Sequence, residues 1–503
     1  MIAALVLVPI LGAGVSLALI PNRLAQRIIT ATALAATTGL SIATLAAVEH
    51  DTDSIITTRI GGWHPTLGIV LVVDLTAALF LAISLVTITA VAAYAIVQPN
   101  EEDTHGVFHP VYLVLTAGVT LAFTSGDLFS LFVAFELTLV ASYVLLTLGG
   151  RADQVRTGTT YVTLNLVASA LFLTAIAGVY AAAGSVNLAT IAQRWPDLPT
   201  HVDTGLGLAL LGAFGIKAGV FPLFAWLPDA YPAAPTSVTA IFAGLLTKIG
   251  VYAIVRVHSL LDLDQLGPVI TAIAALTMVV GVLGALAQDD IKRILSFHIV
   301  SQIGYKLVGV ALATTAGLAA TIVFIVHQIP IKTALLLTAG LVEHRHRTGR
   351  LDRLSGLART CPAIAVLFAL GALSLAGLPP FSGFVAKLAV LDAAAASANW
   401  TLVMVGLAVS AGTLLSMTKI WTGAFWGAAN DHESPGAPDR GPTATVMATE
   451  PTTARTKSMT AAVAALVAVT VLVAVTAGPL VELADRAATL LVDPDPYIDA
   501  VLS

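Results

Sequence analysis

Cysteine is almost absent from this chain: Cys361 is alone among 503 residues. A single thiol excludes an intramolecular disulfide and any metal or iron–sulfur centre built on cysteines. Cys361 itself reads as a small apolar residue at a helix start. Charge is nearly as scarce. Asp, Glu, Lys and Arg make up 11% of the residues, where a soluble domain carries roughly 25%. The net charge of −5 is small and scattered over loops, which argues against a nucleic-acid partner. The sequence has no phosphate-binding glycine loop, no dinucleotide-binding turn and no His/Cys metal constellation. It therefore reads as a chain without cofactor, metal or soluble catalytic domain, and not as an enzyme. A basic stretch ahead of the first apolar run is also missing, so residues 2–20 are expected to be a retained helix and not a cleaved signal.

What is present is hydrocarbon. Hydrophobic residues make up 57% of the chain and the mean hydropathy is +0.92, which predicts an all-α polytopic membrane protein. A spanning helix needs about 20 apolar residues. On that rule about fourteen segments appear: 2–20, 27–48, 67–97, 107–125, 128–148, 157–183, 204–226, 235–258, 266–287, 290–312, 316–342, 361–392, 399–426 and 460–481. Segments 51–66 and 185–203 are expected to hold short interfacial helices or loops, and 430–458, rich in Pro, Gly, Thr and charge, a flexible linker.

If every segment spans, the loops with Arg23 and Arg27, Arg151 and Arg156, Lys292 and Arg293, and His344-Arg-His-Arg347 through Arg359 share one side. The opposite loops, such as Glu49-His-Asp51-Thr-Asp53 and Asp262-Leu-Asp264, are acidic. Basic loops stay cytoplasmic, so both termini are expected outside. The loop with Glu101-Glu-Asp103 is an acidic exception of small topological weight.

Against so few charges, two pairs of lysines stand out. Lys217 and Lys248 are 31 residues apart, Lys387 and Lys419 are 32 apart, and the second of each pair lies in a Thr-Lys-Ile tripeptide. Gly219-Val-Phe-Pro222 follows Lys217, and Gly377-Leu-Pro-Pro-Phe-Ser-Gly383 precedes Lys387. An ammonium in hydrocarbon costs a few kcal/mol or more, so intramembrane lysines usually line ion or proton paths. Two copies of a broken helix with lysine, then a helix with lysine, predict a duplicated transporter core with discontinuous helices.

Other ionisable residues join them. Glu136 sits inside an apolar run, as a partner for Lys217 or as a helix-end carboxylate reaching headgroups. His327 and Lys332 share one segment but lie about 500° apart around a helix, so they face different ways unless Pro330 distorts the turn. A histidine there, with a second ionisable group close by, reads as a relay ahead of the alternative, a buried neutral group held by one hydrogen bond. His298 stays undecided between function and packing, and Lys306 between function and a face toward a partner subunit. Lys419 lies near Trp421 and Trp426, where snorkelling to an interface competes with function. Asp74 and Asp127 read as helix N-caps.

Four stretches resemble the antiporter-like subunits shared by Mrp-type cation/proton antiporters and respiratory complex I. They are Phe135-Glu136 in its apolar context; Gly215-Ile-Lys-Ala-Gly219 running on to Pro222-Leu-Phe-Ala-Trp-Leu-Pro-Asp-Ala-Tyr231; Asp290-Ile-Lys-Arg-Ile-Leu-Ser-Phe297; and Pro379-Pro-Phe-Ser-Gly-Phe-Val-Ala-Lys387. Ser296-Phe-His-Ile-Val-Ser-Gln-Ile-Gly-Tyr305, the run 136–149 and the run 161–172 are most similar to the D-type Mrp subunits. The resemblance implies fourteen helices with two inverted five-helix repeats. Residues 1–106 would be the first three helices, 107–258 the first repeat, 259–426 the second, 427–459 a cytoplasmic linker and 460–503 a last helix and tail. It also implies an ion pair of Glu136 with Lys217, a relay through Lys248 and His327, and an exit at Lys387. With Lys332 and Lys419 added from the residue reading, these form the expected proton path. Lys306 departs from the family pattern, where an apolar residue is usual. The expected protein is thus a proton-translocating subunit of a multisubunit Na+/H+ antiporter in a bacterial plasma membrane. Its partners would be other subunits, the lipid bilayer, protons and monovalent cations. A proton-pumping subunit of complex I or a membrane-bound hydrogenase is the alternative.

Overall fold

The computed structural model describes residues 1–50, 55–98, 106–427 and 453–503. Most of the expected linker and the acidic stretches 51–53 and 101–103 lie outside them. Each of the fourteen expected segments contains helix. Among the described residues, ten helices are long and apolar enough to cross a membrane.

Their ends follow local chemistry. Asp74 and Asp127 accept from the backbone N–H of Ala77 and Ser130, as N-caps do, and Asp290 does the same for Arg293. One expected segment begins differently. Residues 67–97 do not start as helix: Val70–Val73 is a strand, paired antiparallel with Ile56–Arg59. The apolar, β-branched run satisfies its backbone across a hairpin, and the helix Leu75–Val97 starts only after Asp74. The all-helical expectation therefore gains one small two-stranded sheet. The expected boundary at 460 also moves. Helix Thr453–Val475 begins earlier, and two further helices, Ala477–Val492 and Asp495–Leu502, replace the expected tail.

Burial runs against charge. Helix Thr315–His346 is 32 residues long, about 48 Å, and it runs unbroken through Pro330. The most apolar window of this helix is 100% buried, against 94% for Thr236–Leu261 and 89% for Ile291–Leu312, but only 28% for Arg455–Val475. The three most enclosed helices hold Lys248, His298, Lys306, His327 and Lys332, all at most 2% exposed. Against hydrocarbon, ionisable side chains are driven toward the bundle interior, so this core is arranged around its polar side chains.

Two helices are broken, at the same backbone pattern. Helix Thr200–Ala218 ends at Gly219 and helix Pro362–Ala376 at Gly377, both left-handed at φ +76° and +85°. Gly219 N–H donates to the carbonyls of Gly215 and Ile216, and Val220 N–H to Gly215; Gly377 and Leu378 repeat this on Leu373 and Ser374. This is the paired closure of a Schellman motif, which favours glycine at the left-handed position. Gly219, Val220 and Pro222 thus correspond to Gly377, Leu378 and Pro380, the local counterpart of the expected duplication.

Charged loops gather in places. At one end Arg293 pairs with Asp229 at 3.0 Å, Lys292 with Glu343 at 2.5 Å, and Arg151 donates to the Ala233 carbonyl. Asp290 bridges to Arg350 there as well. Three of the four basic loops expected on one side therefore meet. Elsewhere a cavity of about 890 Å³ is lined by Asp203, Asp262, Asp264, Asp495 and Asp499.

Candidate functional site

The first cluster forms where helices Leu128–Thr147, Ala152–Ala183 and Thr200–Ala218 meet. Ser169 donates its hydroxyl to Glu136, and Lys217 Nζ donates to Ser169 Oγ at 3.1 Å and to the Asn165 carbonyl at 3.3 Å. The expected Glu136–Lys217 pair is thus relayed through a hydroxyl, with no direct contact between the two charges. Their charges still interact, and the Lys217 ammonium lies 5.7 Å from the Phe135 ring centre. Tyr161, Asn165, Lys217 and Trp226 line a cavity of about 20 Å³, room for one water. The broken backbone beyond Lys217 is satisfied by protein: Phe221 N–H donates to Thr277 Oγ1, and Trp226 Nε1 to the Ile216 carbonyl. Such satisfaction is what a break inside a membrane requires.

Lys248 lies next to that break but on another element. A Cβ added to Gly250 would stand 2.6 Å from the Ala218 backbone nitrogen, so only glycine allows this approach. Just before Lys248 the helix opens into a π-helical turn, Phe242–Leu246. Such turns loosen the i→i−4 ladder and recur at functional sites. The Lys248 ammonium donates to the Ala243 carbonyl within it.

The second cluster surrounds the other break. His327 Nδ1 shares a hydrogen bond of 2.8 Å with Ser382 Oγ, at the start of helix Ser382–Ala396, and Ser382 reaches Ser374 on the other side of the break. Lys387 Nζ donates to the Ala376 carbonyl at 2.9 Å and lies 5.4 Å from the Tyr305 ring centre. Tyr305 is held by the Gly406 carbonyl and Ser410. Lys332 points elsewhere, to the Leu295 carbonyl at 3.5 Å, as its offset from His327 predicts. His298 Nε2 meets Ser416 Oγ at 2.5 Å. The charge of Lys332 interacts with those of Lys248 and Lys387, and His327 interacts with Lys387, Lys306 and Lys332.

Six of the seven expected residues therefore fall into two neighbouring clusters: Glu136 with Lys217, and Lys248, His327, Lys332 and Lys387. Lys419 stands apart. Its ammonium caps the carbonyls of Leu286 and Gln288 and pairs with Asp289 at 2.8 Å, beside a cavity of about 410 Å³. With its side chain 34% exposed, it is a helix-end anchor at the loops.

Several polar residues carry no signal in the sequence. Ser169, Ser374 and Ser382 are single hydroxyls in helices rich in hydroxyls. Arg256, buried in an apolar run, pairs with Asp74 at 2.6 Å and stacks on Tyr252 and Tyr497. Asp74 is thus more than a cap. Arg256 is a charge in an apolar helix, eight residues after Lys248, and the rule that found the lysines applies to it equally.

The chain is similar to known proteins along most of its length. The family described as NADH:quinone oxidoreductase/Mrp antiporter, TM, matches residues 125–413. The D-type subunit of a Na(+)/H(+) antiporter from Alkalihalophilus pseudofirmus is 37% identical, over 91% of this chain and 90% of its own length. The protein of the same designation from Bacillus subtilis is 33% identical over 99% and 98%. Among solved structures, a chain of the Mrp complex from Dietzia superposes with a TM-score of 0.91 at 36% identity, covering 100% of this chain and 99% of that one. A chain of respiratory complex I from Thermus thermophilus shares the fold, with a TM-score of 0.81 at 23% identity over 98% of this chain and all of that one. The chain is a multi-pass membrane protein, and it belongs to the NADH:quinone oxidoreductase/Mrp antiporter transmembrane family, among relatives designated as the D-type subunits of Na(+)/H(+) antiporters.

Proposed function

We propose that the chain is the proton-carrying subunit of a multisubunit Na+/H+ antiporter of the bacterial plasma membrane, a secondary transporter and not an enzyme. The observation that carries this reading is the placement of Lys248, Lys306, Lys332 and Lys387, with His298 and His327, in the three most enclosed helices and the broken helix beside them. The designation of the relatives and the likeness to an Mrp complex chain support sodium as the cation and other membrane subunits as partners.

In this reading, residues 107–258 supply Glu136, Lys217 and Lys248, and residues 259–426 supply His327, Lys332 and Lys387. A proton reaching the Glu136–Ser169–Lys217 group displaces positive charge toward Lys248, because like charges in a low-dielectric interior repel strongly. His327, Ser382 and Lys387 pass it across the second break. Lys419 and Asp289 mark the loop-side rim. The test uses the complex co-purified from membranes and sealed into vesicles with a pH-sensitive dye inside. A sodium gradient is expected to drive a pH change, and the co-purified chains are expected to be further antiporter subunits. Quinone-reductase or hydrogenase subunits in the preparation, with no sodium-driven pH change, would overturn the reading.

We further propose that the basic loops face the cytoplasm and both termini face outward. The meeting of Arg151, Lys292, Arg293 and Arg350 at one end of the fold supports this. In a Cys361→Ala background, a cysteine replacing Ser503 is expected to react with an impermeant maleimide on intact cells, and one replacing Thr348 is not. The reverse pattern would invert the assignment.

A further inference from the structure

The interior lysines share one habit that Lys306 breaks. Lys217, Lys248, Lys332 and Lys387 each donate to at least one protein acceptor. Lys306 is 0% exposed, and its Nζ has no hydrogen-bond partner among the described residues. A buried ammonium without a partner is among the most costly arrangements a protein can hold. It persists where the group has to change its charge.

Lys306 is not isolated in this. His298 Nδ1, Gln302 Nε2 and both polar atoms of the Gln328 amide are also buried without partners among the described residues. His298, Gln302 and Lys306 are spaced by four on helix Ile291–Leu312, so they lie along one face, and Gln328 and Lys332 are spaced by four on the helix packed against it. Two neighbouring groups are held in place. Ser416 holds the other nitrogen of His298, and Thr321 Oγ1 donates to the Lys306 carbonyl. The charged and titratable groups facing Lys306 are Lys248, on helix Thr247–Leu261, and Lys332 and His327, on helix Thr315–His346. All three are basic. A structural ammonium would call for a carboxylate or carbonyl there.

We propose that Lys306 is a further proton-carrying residue, receiving a proton from Lys248 or Lys332 and delivering it toward His327, with Gln302 and Gln328 as the polar lining. This rests on the transport reading above. The step is balanced within the chain: the neutral Lys306 amine takes a proton on its nitrogen lone pair as a neighbouring ammonium becomes an amine. The proton then leaves toward the imidazole, and no other bond changes. Loading Lys306 discourages protonation of both neighbouring lysines, because like charges in a low-dielectric interior repel.

The test replaces Lys306 by methionine and, separately, by glutamine and arginine in the complete complex, with Lys217→Ala as a control. Methionine keeps the stem and loses no hydrogen bond. Lys306→Met is therefore expected to assemble and to melt at or above the wild-type temperature, while sodium-driven proton exchange falls at least about tenfold. Lys306→Arg keeps a permanent charge and is expected to be as slow. Exchange by Lys306→Met within about twofold of wild type, beside an inactive Lys217→Ala, would overturn the Lys306 assignment alone. Wild-type exchange by Lys217→Ala as well would remove the transport reading beneath it. Loss of assembly in both Lys306→Met and Lys306→Gln would mark Lys306 as a structural group and overturn the proposal too.

Discussion

Replacing Glu136 by alanine is expected to reduce sodium-driven proton exchange to background while the complex still assembles. Both halves of that outcome follow from the serine between the charges. A directly paired, fully buried partner left alone costs about 3–5 kcal/mol. Lys217 would instead keep Ser169 Oγ and the Asn165 carbonyl as acceptors, so the cost should stay nearer the about 1–3 kcal/mol of a lost hydrogen-bonding partner. Exchange should still fail, because the carboxylate is the group whose charge interacts with Lys217. Ser169→Ala sharpens the test. If the pair works through the hydroxyl, that variant should lose most of the exchange although both charges remain. If the two charges meet directly during turnover, Ser169→Ala should be close to wild type. Full exchange in Glu136→Ala would remove the first cluster from the path altogether.

Ser169 also shows where reading the sequence stops. Lysines in apolar helices are legible one at a time, because each is a rare charge with a known cost in hydrocarbon. Hydroxyls are not: Ser and Thr are common in such helices, where they bond to the preceding turn. Only the packing of three helices singles out Ser169, and only the fold-back at the second break singles out Ser382. The strand Val70–Val73 was hidden for a related reason. A short apolar run reads equally as helix, and the pairing that decides comes from Ile56–Arg59, before it in the chain.

The lysine spacing was legible but does not mean what it suggests. The intervals are nearly equal, yet the backbone sets Gly219 against Gly377. In that register Lys217 precedes its break by two residues, and Lys387 follows its break by ten. The two ammonium groups arrive at matching breaks from opposite sides. Lys217 belongs to the last turn of the helix before the break, while Lys387 reaches back to the last carbonyls of the helix before it. Lys248 and Lys419 differ further, one fully buried beside a π-helical turn, the other anchoring loop carbonyls. Duplication is therefore better read from the two glycine closures than from the lysines.

This geometry makes Lys387→Arg the most discriminating substitution in the second half. Lys387 has two contacts, a hydrogen bond to the Ala376 carbonyl and the face of Tyr305. A guanidinium can keep both, since it donates to carbonyls and stacks on aromatic rings. What it cannot do is give up its proton, since a guanidinium stays charged in proteins. If Lys387 only neutralises the exposed carbonyl end of a broken helix, a role suited to any cation, arginine should support exchange within about twofold of wild type. If Lys387 must release a proton received through His327 and Ser382, exchange should fall by two orders of magnitude or more, within the range of about 10²–10⁴ for proton-transfer groups. The fit is tight, with Lys387 Cδ close to Gly377, so the larger arginine needs a companion. Lys387→Met matches the stem and carries no charge. It should leave the carbonyl uncapped, assemble, and fail to exchange. Failure of both variants in an assembled complex would place the proton on Lys387 itself, and wild-type exchange by the arginine variant would route the path around it.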